Sequence, residues 1–236
     1  TNTDRVNSQS RESRFEVMKG SVLRDAFISA ANNISNHKQK VNALNVFPVP
    51  DGDTGTNMSM TISAAKREVQ LMDSKATVAE VSKTAAGALL RGARGNSGVI
   101  LSLLFRGMAK KLRETEEADG RTLALALREG VDTAYKAVMK PAEGTILTVS
   151  RVAAQKTVEQ CQADDSLSAE QVLAAIVEHG RAALAETVHQ NPVLEKAGVV
   201  DAGGFGFITI LEGMLDAMRG IHKERTVEQP ARAAAS

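Results

Sequence analysis

The chain has 236 residues, 43% of them apolar and 24% charged, a size and balance that allow roughly 70% of the unfolded surface to be buried and that argue against wholesale disorder. Its 29 Lys and Arg against 28 Asp and Glu leave a formal net charge of +1, too weak a field to recruit nucleic acid or an acidic membrane surface. One cysteine, six phenylalanines, one tyrosine and no tryptophan exclude an intramolecular disulfide and a thiolate metal cluster, leave few rings for stacking bases, and make a reducing cytoplasm the expected compartment.

Apolar residues recur at intervals of three and four almost throughout, with little two-residue alternation, so an all-α domain is predicted. Residues 1–13 are polar and read as a flexible tail without the apolar centre of a secretory signal. A first helix is expected over 14–35, and a second over 56–72 puts Met58, Ile62, Ala65 and Val69 on one face. Thr77, three residues before Glu80, has capping-box spacing and opens a third helix over 77–91. The fourth, over 97–113, carries Val99, Ile100, Leu103, Leu104 and Met108; a fifth fits 121–139 and a sixth 145–162. Ser168 and Gln171 repeat the capping-box spacing before a seventh helix ending near His189, and an eighth fits 204–219. Residues 221–236, with Pro230, read as a tail or linker. No run approaches the ~18 apolar residues of a membrane span. Residues 14–220 are therefore expected to form a single eight-helix domain.

The glycine-rich and polar segments fall at helix junctions. Asn45 to Asn57 precedes the second helix, with Pro48 and Pro50 holding the approach extended and Gly52 and Gly55 freeing the turn. Asp51 and Asp53, two apart, can converge on a hard cation such as magnesium or calcium; the alternative is that they cap a helix and solvate a turn. An EF-hand fails on spacing, because Gly55, Thr56 and Ile62 occupy its third ligand, its glycine and its bidentate glutamate. Gly92, Gly95 and Gly98 surround Asn96 and Ser97 at the start of the fourth helix, an anion cradle or simply a glycine-rich cap. No Gly-Lys-Ser or Gly-Lys-Thr occurs, so this is not a Walker A loop. Pro141 to Thr145 and Val200 to Gly204 precede the sixth and eighth helices. In an up-and-down array these four junctions share one rim, where one could offer metal ligands, another phosphate-binding amides, and two the walls of a nucleotide pocket. The histidines, His37, His179, His189 and His222, lie outside these junctions and read as surface or core groups.

These segments, with the runs Ala134 to Pro141, Glu143 to Val149 and Gly198 to Gly204, closely resemble the N-terminal ATP-binding domain of bacterial fatty acid kinase and, more distantly, the L subunit of dihydroxyacetone kinase. The resemblance spans about Phe15 to Arg219. It implies an antiparallel eight-helix barrel with ATP or ADP and two magnesium ions at one rim. Asp51 and Asp53 would be metal ligands, with Asp53 the bridge, and Asn45 is the nearest match to a third. Thr54, Thr56 and Asn57 would approach the phosphates from the second helix, and Gly95, Asn96, Ser97 and Gly98 would hold the β- and γ-phosphates. Thr145, Asp201 and Gly203 would lie near the nucleoside. Arg94 could stabilise charge on the transferred group, or form a surface ion pair. The implied reaction is phosphoryl transfer to a fatty acid carboxylate, presented by a separate fatty-acid-binding partner protein, with no general base required because the carboxylate is already ionised. Further domains belong to the full-length relatives, so this domain is expected to be monomeric and to need its partner for turnover. A dihydroxyacetone-type kinase and a non-catalytic nucleotide-binding module are the competing readings.

Overall fold

A computed structural model of the chain describes residues 15–226. Within them lie nine α-helices: α1 (Gly20–Leu44), α2 (Thr54–Val69), α3 (Val78–Gly92), α4 (Gly95–Leu112), α5 (Gly120–Ala137), α6 (Ile146–Ala163), α7 (Ala169–Gln190), α8 (Pro192–Ala197) and α9 (Ala202–Met218). No strand occurs among the described residues, where an isolated bridge pairs Met18 with Ala118. Each long helix packs on its neighbours in sequence, and α9 returns to pack extensively against α1, closing the ring. The predicted all-α antiparallel barrel is the observed architecture, with eight long helices and one short one.

Several long helices start at capping side chains. Thr77 Oγ1 accepts from the Glu80 amide, Asp119 from Thr122, and Ser168 and Gln171 cap each other's backbone reciprocally. Such caps contribute about 1 kcal/mol each by satisfying amides that the helix itself leaves open. Two elements differ most from expectation: the first helix, which begins at Gly20 rather than 14, after Met18 pairs with Ala118, and a short additional helix, α8. Helix α1 runs to Leu44 rather than ending at Ser35, because the polar run Asn36 to Lys40 is its outward face and fully buried Val41 resumes the apolar stripe two turns after Ile34. Helix α8 is not foreshadowed by the apolar period; it is one turn and a half, begun by Asn191 Oδ1 accepting from the Val193 amide with Pro192 next, and closed by Gly198 at φ +67°.

The core is continuous through the ring. Helix α9 supplies much of it, with every residue buried except Phe205, Glu212 and Asp216, as expected for a helix that packs on α1, α2, α6 and α7. Fully buried side chains such as Leu89, Leu101, Leu104 and Phe207 each contribute about 1.5–3 kcal/mol. Helices α4 and α5 touch backbone to backbone: a Cβ on Gly107 would lie 2.6 Å from the Glu129 carbonyl oxygen, and one on Gly130 would collide with that of Leu104. No helix among the described residues is long and apolar enough to cross a membrane. Of the expected tails, residues 1–14 and 227–236 lie outside the described residues. Residues 221–226 do not trail away; Asn32 Nδ2 donates to the Lys223 carbonyl, Asn36 Nδ2 to that of Glu224, and Asn36 Oδ1 accepts from the Thr226 amide, fastening the segment to α1.

Alternation of direction sends the N-termini of α2, α4, α6 and α9 to one end of the barrel, the upper rim. The starts of α1, α3, α5 and α7 form the lower rim. Close to the lower rim, between Met18, Leu23, Phe105 and Leu112, is a small apolar cavity of ≈ 50 Å³.

Candidate functional site at the upper rim

The loop between α1 and α2 is built around Asn45. Its side chain is buried; Nδ2 donates to the Val49 carbonyl at 3.0 Å, while Oδ1 accepts from the amides of Asp53 at 3.1 Å and Thr54 at 3.2 Å. One turn earlier, Asn42 Oδ1 accepts from the Thr56 amide and Nδ2 donates to Thr56 Oγ1, both at 3.0 Å. The end of α1 thus satisfies amides at the start of α2 that would otherwise lack partners. This division of labour releases the Asp53 side chain. Asp53 stands at the N-cap of α2, yet its side chain makes no cap hydrogen bond, so the expected alternative in which these acids merely cap a helix fails for Asp53. Asp51 and Asp53 share a hydrogen bond, and that bond, with some desolvation and the neighbouring charge, raises the Asp51 carboxyl above its ordinary range despite the backbone amides of the turn that it also accepts from. Two carboxylates held this close favour a proton or a cation between them.

At the start of α4, Gly95 has φ +67° and Arg94, the N-cap, provides no side-chain cap. The first-turn amides of Gly95, Asn96 and Ser97 therefore face outward at the positive end of the helix dipole. At the start of α6, Thr148 Oγ1 accepts from the Gly144 amide and donates to Glu143, and Thr145 Oγ1 donates to the Ala142 carbonyl. Arg151 grips Glu143 through two contacts at 2.7 and 3.1 Å and holds its carboxyl below the usual range. At the start of α9, Asp201 is 4% exposed. Its Oδ2 accepts from the Gly204 amide at 2.8 Å, its carboxylate also accepts from the Ile146 amide, and its own amide donates to buried Thr187 Oγ1. Burial outweighs those two bonds and pushes the Asp201 carboxyl up to about 6.

These four starts enclose a cleft of ≈ 360 Å³, within the range of small-molecule sites. Asn45, Asp51, Asp53, Thr54, Asn57, Gly95, Asn96, Ser97, Thr145, Asp201 and Gly203 all line it, as the alternating topology predicts. Three predicted residues do not. Thr56 is two residues beyond Thr54, about 200° around the helix, and its side chain is bonded to Asn42 on the other side. Gly98 is buried against Thr61, where a Cβ would lie 2.5 Å from Oγ1, so it serves the packing of α4 on α2. Arg94 lines a different cleft and is in no ion pair among the described residues. Its place in the other cleft sets it apart from the upper-rim groups that would touch a transferred phosphate. Asn45 lines the cleft, but both ends of its amide are engaged in the loop, which makes it the loop's organiser rather than a third metal ligand.

Two contributors escape the sequence pattern. Asn42 lies beyond the predicted end of α1, and Lys140, an exposed cation that lines the cleft, directly follows the predicted fifth helix. No group of three or more His, Cys, Asp and Glu converges among the described residues. A divalent ion held by Asp51 and Asp53 would take its remaining oxygens from ligand and water, the usual habit of magnesium. The two adjacent carboxylates suit that ion.

An eight-helix ring whose alternate N-termini surround two acids and an open set of amides has counterparts. The chain belongs to the DAK2 domain family, whose sequence profile matches residues 48–216. It is 44% identical over 214 residues to Protein YloV of Bacillus subtilis (strain 168), covering 91% of this chain and 37% of that protein. It is 45% identical over 210 residues to the uncharacterized protein SAB1090 of Staphylococcus aureus (strain bovine RF122 / ET3-1), covering 89% of this chain and 38% of that one. The chain thus spans less than two-fifths of the length of these relatives. The fold is also that of the dihydroxyacetone kinase from C. freundii in complex with AMP-PNP and Mg²⁺, with a TM-score of 0.62 and 16% identity over 86% of this chain and 35% of that one. The native form of the same enzyme gives 0.55 and 20%, over 83% of this chain and 34% of that one.

Proposed function

We propose that the upper-rim cleft binds Mg-ATP and that this domain is the nucleotide-binding part of a kinase whose acceptor is a fatty acid carboxylate held by a separate binding protein. The observation that carries this reading is the convergence of Asp51 and Asp53, the latter free of capping duty, with the uncapped amides of Gly95 to Ser97 in one cleft. The family assignment and the AMP-PNP and Mg²⁺ of the structural relative support it.

Asp51 and Asp53 would hold magnesium, which would neutralise phosphate charge where phosphoryl transfer needs it. Gly95, Asn96 and Ser97 direct N–H groups at phosphate oxygens without reorganising, and Lys140 adds a cation at the cleft edge. Thr54 and Asn57, three apart on one face of α2, orient the same groups from the opposite wall. Thr145, Ile146, Asp201 and Gly203 wall the side on which the nucleoside would rest. No histidine lines the cleft. An acceptor already ionised at neutral pH, as a carboxylate is, would need no general base, whereas a hydroxyl must lose a proton in place.

ATP turnover by the chain with a fatty-acid-loaded binding protein, compared with dihydroxyacetone and its binding protein, tests the reading. Acyl phosphate formation only with the first is expected. Phosphorylation of dihydroxyacetone would favour the polyol reading, and the absence of magnesium-dependent ATP binding would remove both.

A further inference from the structure

A second cleft, of ≈ 300 Å³, lies between α1, α2 and the α3–α4 junction and shares no lining residue with the first. Its lining carries Lys38, Lys66, Arg67, Arg94 and Arg225 and, among the described residues, no carboxylate, in a chain whose whole formal charge is +1. Elsewhere, Arg91, Arg151, Arg181 and Arg219 each face a glutamate across 2.7–3.1 Å. Lys66, Arg67, Arg94 and Arg225 take part in no ion pair among the described residues. Lys66 Nζ donates instead to neutral Asn32 Oδ1 at 2.7 Å. Burial and the nearby Arg225 charge lower its affinity for a proton. Ser59 and Ser63 stand on the same face of α2 as Lys66 and Arg67, at intervals of four, seven and eight from Ser59, and also line the cleft.

We propose that this cleft is a binding site for a compact phosphate-bearing anion, with Lys66, Arg67 and Arg94 supplying charge and Ser59 and Ser63 supplying hydroxyl donors. Guanidinium forks match phosphate oxygens in pairs, and hydroxyls fill the remaining acceptor directions. The cations reach the cleft from separate segments and converge on a concave space of small-molecule size, rather than lining the extended strip that an acidic peptide would follow. The proposal stands independently of the upper-rim reading, because neither Asp51 nor Asp53 belongs to this lining.

Inorganic pyrophosphate is titrated in EDTA into the wild-type chain, D53N and the K66Q/R67Q double variant, with amide NMR shifts followed. Binding that perturbs Ser59 and Ser63, persists in D53N and weakens at least tenfold in K66Q/R67Q is expected, and assigns a free phosphate ligand. Vesicles of phosphatidylcholine with and without phosphatidic acid form the second arm. Retention only by phosphatidic acid vesicles, lost in K66Q/R67Q, assigns the phosphate to a lipid headgroup. Unchanged affinity in K66Q/R67Q, shifts confined to Gly95 to Ser97, or no binding in either arm overturns the proposal. Should the double variant fail to fold, R94Q replaces an exposed side chain, and a threefold or larger loss there supports the site while an unaltered affinity rejects it.

Discussion

Asp201 makes the stability of this domain depend on pH in a direction opposite to that of an ordinary salt-bridged acid. Its carboxyl titrates near 6 in the fold against 3.8 in the open chain. The folded state therefore holds the proton more tightly, and stability falls as pH rises from about 3.8 towards about 6, then levels off with the cost fully present at neutral pH. A difference of about two units corresponds to about 3 kcal/mol. Asp201→Asn keeps an oxygen for the Gly204 amide and cannot ionise. Thermal unfolding of both proteins between pH 4 and pH 8 should show the variant gaining on wild type across that window, by roughly 6–12 °C in Tm for a domain of this size. Comparing the two curves removes the opposite contributions of acids such as Glu143, whose carboxyl Arg151 holds low. Parallel curves would refute the argument. So would a variant that gains on wild type towards acid rather than towards neutral pH.

Asn45→Ala removes three hydrogen bonds of a buried side chain and should lower the unfolding free energy by about 2–4 kcal/mol; chemical denaturation measures this, and a loss confined to metal affinity would restore the ligand role. Gly130→Ala places a Cβ against the Leu104 carbonyl and should destabilise by about 2 kcal/mol or more, and its effect should be non-additive with Gly107→Ala in a double-mutant cycle. Asp53→Asn should weaken magnesium-dependent ATP binding by at least the roughly 10–100-fold that even an outer-shell partner is worth, with helical circular dichroism unchanged because Asp53 caps nothing; calorimetry and spectroscopy on the same samples decide it.

Local signals carry most of the fold. Thr77, Ser168 and Gln171 mark helix starts through bonds spanning three residues, and the apolar period fixes the buried faces of α2 and α4. Convergence of the four upper-rim junctions follows from alternation alone. What stays hidden depends on side chains meeting across the turn between helices. Asn42 and Asn45 act on residues 8 to 14 positions away, and their role is legible only once α1 is known to reach Leu44. Helix α8 is too short for a period to register. The place of Thr56 is legible in principle, since Thr54 and Asn57 share a face that Thr56, at about 100° per residue, cannot join. The direction of Arg94 is not, because the N-cap residue sits outside the helical repeat.

The chemistry proposed for the upper rim is mounted on helix starts and, for Asp51 and Lys140, on the connections leading into them, while the lower-rim connections carry none of it. One of these, at 164–168, exposes Asp164, Asp165 and Ser166 at the far end of α6 and α7 from the cleft. A foreign sequence spliced there would hang below the barrel without disturbing a single cleft residue. The domain therefore has a built-in attachment point for a reporter or a tether, separated from its binding surface by the length of its own helices.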